Sequence, residues 1–161
     1  MVADRFACCT RRGSTMFPTR ILYATDGSPS ADLARSRVVD LVRRTDAAVH
    51  VVHVALMSPW TNPHPLSPGQ RERLQIEARP VLDAGVAALE AEGVDVTGTH
   101  LRSGRATDEI LRLRDEIDAD LIVIGSRGQN AFVRVLLGND AEGVVRHAPC
   151  AVLVVRSEEI R

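Results

Sequence analysis

Leu121-Ile122-Val123-Ile124-Gly125-Ser126-Arg127-Gly128 is the stretch on which the reading of this chain turns. Four consecutive apolar residues run into Gly-Ser-Arg-Gly, and Gly138 follows to complete the spacing G-x2-G-x9-G. A run that short, apolar without alternation and stopped by glycine, predicts a strand buried on both faces. The glycines predict a loop whose main chain lies bare, and Gly138 marks a second turn that starts a helix. Such a loop suits a phosphate. Bare N–H groups can approach an anion closely, and the helix after Gly138 would aim its unpaired first-turn N–H groups and positive dipole end at the same point.

Outward from this stretch, four more apolar runs alternate with helical patterns: Arg20 to Ala24, Val49 to Leu56, Val94 to Leu101 and Ala151 to Val155. Rich in Val, Ile and Leu, they predict parallel strands covered by helices on both faces, an open α/β sheet in one domain. The first helix is expected from Pro29 to Arg44, with Ser28 as N-cap, proline at its first position and Leu33, Val38, Leu41 and Val42 facing inward. Ser67, Pro68 and Gln70 predict a capping box for a second helix, kinked at Pro80 and ended by Gly93. A third, from Ala106 to Ile117, carries Ile110, Leu113 and Ile117 at helical spacing. A fourth begins near Asn139, where Asn139 and Glu142 stand at capping-box spacing. Between Leu56 and Ser67 lies a loop with Pro59, Pro63, Pro65 and the sole tryptophan, Trp60, which either covers a ligand or caps the sheet edge.

The chain has 161 residues, enough for one domain with a real core. Its net charge of −1 argues against a nucleic-acid partner held by an overall basic field. All 20 basic residues are arginine. The absence of lysine excludes a P-loop lysine, a Schiff-base lysine and a kinase-type ATP lysine. Cys8, Cys9 and Cys150 fit neither a disulfide framework nor a structural zinc site, so a reducing cytoplasm is the expected compartment. No apolar run reaches the ~20 residues of a membrane span, and no signal peptide is legible at the start. Residues 1–18 read as a disordered extension that adds nothing to the core, with Met16 an alternative start, and 157–161 as a tail.

The spacing of the glycines, with Ile122–Gly128, Arg146–Arg156 and the early Ile21–Ser28 (ILYATDGS), closely resembles the universal stress protein family over residues 19–156. The resemblance implies a Rossmann-like, adenine nucleotide alpha hydrolase-like fold with strand order 3-2-1-4-5. The strand order would then reverse between the first and fourth strands, the place where open α/β sheets bind ligands. It implies a cytoplasmic homodimer, joined through the exposed last strand, that binds ATP and acts by its bound state. Mg²⁺ is a candidate companion of the nucleotide. Ala24, Thr25 and Asp26 would form the nucleoside side of the site, with Asp26 contacting the ribose or base; its plainer role is a turn acceptor before Ser28. The main chain of Val54 would read the adenine edge. Gly125, Ser126, Arg127, Gly128, Gly138, Asn139 and Asp140 would face the phosphates, Arg127 by its charged fork unless it is only a solvated loop residue. His53 reads as a core histidine.

One departure from the family pattern bears on the phosphates. Nucleotide-binding members carry Ser or Thr after the last glycine, whereas Asn139 and Asp140 stand here. Asn139 can donate through its amide and is also a good N-cap, while a carboxylate at Asp140, ~6 Å from a phosphate charge, would repel it by roughly 1 to 3 kcal/mol. An alternative reading follows: an interaction scaffold of the same fold that has lost nucleotide binding through Asn139 and Asp140. An enzyme is disfavoured, because neither G-x-G-x-x-G nor Ser-Gly-Gly follows the first strand and no catalytic or metal-ligating constellation emerges. Any ATP turnover is expected to be slow and incidental.

Overall fold

The computed structural model describes residues 17–56, 67–128 and 137–156. The loop with Trp60 and the extension through Thr15 lie outside the described residues. The elements run β1 (Arg20–Ala24), α1 (Pro29–Thr45), β2 (Ala48–Leu56), α2 (Pro68–Ala91), β3 (Val96–Gly104), α3 (Ala106–Ile117), β4 (Leu121–Gly125), α4 (Asn139–His147) and β5 (Ala151–Val155). All strand pairs are parallel, in the order β3-β2-β1-β4-β5. The expected α/β class and strand order are those observed. Among the described residues, no helix is long and apolar enough to cross a membrane.

Strand alternation divides the core. Ile21, Tyr23, Val49, Val51, Leu121 and Val123 face α1 and α2, where they meet Val38, Val39, Leu82 and Leu89. Leu22, Ala24, Val52, Val54, Ile122 and Ile124 face α3 and α4, against Ile110, Leu113 and Val144. Both faces of the central strands are buried, which is why their sequence shows no polar alternation. At the amino ends, the Asp120 carboxylate accepts the backbone N–H groups of Thr19 at 2.9 Å and Arg20 at 3.0 Å, which pins β1 beside β4.

The caps form largely as the residues dictate. Ser28 accepts the Ala31 N–H, and Ser67 and Gln70 complete the capping box of α2. Pro80 sits inside α2 without dividing the helix, and Gly93 follows it with φ of 81°. Three expectations are corrected. Leu33 does not face inward: it is 40% exposed, and the buried face of α1 is Ser30, Ala31, Ala34, Val38 and Val39. Small residues occupy that face because the first turn of α1 lies hard against β4. The third strand begins at Val96 rather than Val94, which is a buried loop residue, and runs on to Gly104. The N-cap of α4 is Gly138, so Asn139 is its first helical residue and caps nothing.

The core assignment is open to test by urea denaturation. Leu113→Ala, which empties a fully buried position, should cost about 2–5 kcal/mol. Leu33→Ala should stay within about 0.5 kcal/mol of the native protein.

Candidate functional site

At the carboxyl ends of β1 and β4 a crevice of about 530 Å³ opens where the strand order reverses. Ala24, Thr25, Asp26, Val54, Gly125, Ser126, Arg127, Gly128, Gly138, Asn139 and Asp140 all line it. The structure therefore gathers into one cavity residues that lie up to a whole domain apart in sequence. Its floor and one wall are apolar, formed by Val52, Val54, Ile110, Ile124 and Leu137.

Each loop is held by bonds that the sequence sets up locally. The Asp26 carboxylate accepts the Ser28 N–H at 3.0 Å, an Asx turn, so the plainer role considered for Asp26 is real. Thr25 accepts the Gly27 N–H through its hydroxyl at 3.3 Å, and Gly27 takes φ of 73° to make the turn. Ser28 donates to the carbonyl of Arg127 at 3.2 Å, tying the loop after β1 to the loop after β4. Ser126 is buried; its N–H donates to the Val155 carbonyl at 2.7 Å and its carbonyl accepts the Gly138 N–H at 2.8 Å. The end of β5, the glycine loop and the start of α4 are thus one hydrogen-bonded unit.

The glycines serve different ends. A Cβ at Gly125 would lie 2.7 Å from the Ser30 carbonyl carbon and 2.9 Å from the Ala31 nitrogen, so this glycine lets α1 approach β4. At Gly128 a Cβ would meet the Asp26 carboxylate at 2.9 Å, inside the crevice. At Gly138 it would come 3.2 Å from the Ser126 carbonyl. Gly138 brings no side-chain acceptor to α4, so among the described residues no N-cap side chain receives the first-turn N–H groups of Asn139, Asp140 and Ala141. All three residues line the crevice, so the start of a helix, the positive end of its dipole, faces into it.

Asp140 qualifies that positive end. The residue is exposed as a whole, yet desolvation at the crevice mouth raises its carboxyl above the usual carboxylate range. The Arg105 guanidinium opposes the rise and Asp26 adds to it. The buried Thr107 hydroxyl, without a hydrogen bond of normal geometry, again opposes it. Arg105, at the N-cap of α3, is a charge at this site that sequence reading passed over, since only the fold sets α3 beside α4.

His53, read from the sequence as a core histidine, is corrected. It is half-buried and lines the crevice, with Nδ1 2.8 Å from the Thr25 carbonyl, so it is a wall of the site rather than a core residue. Among the described residues no group of three or more His, Cys, Asp or Glu side chains is arranged to hold a metal.

The fold is an open α/β domain with its cavity at the switch point of a parallel sheet. A model of the universal stress protein family matches residues 18–156, and the chain belongs to that family. A protein of Staphylococcus aureus named as a universal stress protein is 36% identical over 141 residues, covering 87% of this chain and 85% of the relative. The structure of hypothetical protein MJ0577 superposes with a TM-score of 0.77 at 25% identity, over 88% of this chain and 98% of that one. The universal stress protein from Archaeoglobus fulgidus, solved in complex with dAMP, gives 0.61 at 26% identity over 87% and 99%.

The different duties of the glycines predict different costs. Gly125→Ala should lower unfolding free energy by about 1–3 kcal/mol in urea without any ligand, by overpacking α1 against β4. Gly128→Ala, which among the described residues presses only on the Asp26 carboxylate, should cost less than about 1 kcal/mol.

Proposed function

We propose that this protein binds an adenine nucleotide, ATP, in the crevice between β1 and β4, and works as a cytoplasmic homodimer that signals through its bound state rather than through catalysis. The observation that carries the reading is a division of labour within one cavity. Val52, Val54, Ile110 and Ile124 offer an apolar slot suited to a base, while the bare loop Gly125–Gly128 and the free N–H groups of α4 offer donors suited to phosphates. Asp26, which also lines the cavity, would meet the ribose or base, as the family resemblance implies. Its Oδ1 holds the Asx turn through the Ser28 N–H. The dAMP complex of the Archaeoglobus fulgidus relative supports an adenine nucleotide as the class of ligand.

The same reading makes Asp140 a brake on affinity. Calorimetric titration of the native protein, Asn139→Ser/Asp140→Val and Gly128→Val with ATP and AMP, with and without Mg²⁺, tests it. The double variant should bind ATP about tenfold to hundredfold more tightly, the equivalent of roughly 1–3 kcal/mol of charge repulsion removed. AMP should gain less, and Gly128→Val should bind neither. The carboxyl of Asp140 is raised, so it loses its charge as pH falls from neutrality toward the carboxylate range. Native ATP affinity should therefore rise over that interval more steeply than in the double variant, which shares only the protonation of the phosphates. No ATP binding at any pH would favour the scaffold reading instead.

The dimer contact proposed is β5. It is an edge strand, with Ala151 exposed and Val152, Leu153 and Val154 only half-buried, an apolar row beside unpaired main chain. Val154→Pro should halve the mass seen by light scattering while the fold persists by circular dichroism. An unchanged, folded dimer would place the contact elsewhere.

A further inference from the structure

The hydrogen-bond ladder between β1 and β2 breaks off where the crevice begins. Val52 accepts the Thr25 N–H at 2.9 Å, which continues the regular parallel pairing of the two strands. In that pattern the Val54 N–H would next reach the Thr25 carbonyl, and the Gly27 N–H would then reach the Val54 carbonyl, because alternate residues of a parallel strand turn both main-chain groups to the same neighbour. Among the described residues neither bond is made. The Thr25 carbonyl lies instead 2.8 Å from Nδ1 of His53, and the Gly27 N–H goes to the Thr25 hydroxyl at 3.3 Å.

A carbonyl can only accept, so Nδ1 of His53 carries a proton and holds the oxygen that the Val54 N–H would otherwise take. Val54 lines the crevice, with its N–H and C=O on the side that β1 no longer covers. We propose that His53 is a positioning residue for the base: by withholding the Thr25 carbonyl it presents the Val54 N–H and C=O as a donor and acceptor pair to the edge of adenine. That role rests on the nucleotide reading above and adds to it the base that the site selects.

The chemistry of the edge fixes the choice. Adenine carries a bare ring nitrogen beside an exocyclic amine, an acceptor next to a donor, and so matches the Val54 pair. Hypoxanthine carries a ring N–H beside a carbonyl, which sets donor against donor and acceptor against acceptor. Val54 is buried, at the apolar end of the cavity beside Val52 and Ile124, so a mismatched group there finds little water to satisfy it. His53 thereby shapes base recognition through the main chain of its neighbour.

The test compares the native protein with His53→Leu and His53→Asn. In NMR of the ligand-free chain, scalar coupling across a hydrogen bond from the Val54 N–H to the Thr25 carbonyl should be absent from the native protein and appear in His53→Leu. Its presence in the native protein would overturn the proposal. By calorimetry the native protein should bind ATP at least about tenfold more tightly than inosine triphosphate, the equivalent of a net hydrogen bond. His53→Leu should lose that preference while its affinity for inosine triphosphate, set by the phosphates the two ligands share, barely moves. His53→Asn, whose amide N–H can reach the same carbonyl, should keep the preference. A preference for ATP that survives in His53→Leu would overturn the proposal, and so would equal native affinities, which decide the matter should His53→Leu fail to fold. A native protein that binds neither nucleotide overturns the nucleotide reading itself; base selection falls with it, and the coupling still tells whether His53 holds the Thr25 carbonyl.

Discussion

The first turn of α1 rests directly on the carboxyl end of β4, and the site depends on that contact. A β-carbon at Gly125 would stand 2.7 Å from the main chain of Ser30, so the helix and strand touch backbone to backbone. Such proximity forces α1 to turn small residues inward. It also brings the loop after β1 within reach of the loop after β4, where Ser28 bonds the Arg127 carbonyl. From beneath, Tyr23 secures the same turn, donating its hydroxyl to the Ala31 carbonyl at 2.8 Å; burial pushes its pKa up to about 12, so the donor stays protonated. The switch-point crevice is the space left between two loops that a single close contact holds together.

Where local chemistry decides an outcome, the sequence discloses it. The caps at Ser28 and Ser67 and the span of α3 depend on residues within a turn of one another, and the runs of β1, β4 and β5 carry their own burial. The phase of α1 does not follow from apolar spacing, because the distance to β4 overrides hydrophobicity and leaves Leu33 outside. Likewise Asn139 has the better capping side chain, but the Gly138 N–H is drawn to the Ser126 carbonyl and the helix starts one residue earlier than the side chains suggest, with Gly138 as its cap. The third strand is an edge with polar neighbours, which blurs both of its ends.

Register supplies what spacing hides. His50 and His100 are far apart in sequence, and parallel pairing of β2 with β3 brings their ring nitrogens to 3.1 Å. Arg105 and Asp140 become neighbours in the same way, through packing of α3 beside α4. The apolar wall of the crevice was equally hidden, because Val52, Ile110 and Ile124 look like ordinary core residues until the strands end and leave one side of them uncovered.

The end of α4 poses a competition that the fold alone does not resolve. Free N–H groups at a helix start attract any anion, and Asp140 is an anion already attached to that start. A serine or threonine at such a helix start would leave the positive end vacant for phosphate, while a carboxylate partly occupies it. Desolvation raises the Asp140 carboxyl, and the Arg105 guanidinium offsets that rise only in part. Phosphates arriving at the same point would face a residual negative charge that neither proton nor cation has yet removed. For the nucleotide proposed above, affinity would therefore be governed less by the shape of the glycine loop, which the chain retains, than by how fully that one carboxylate is neutralised when the ligand arrives.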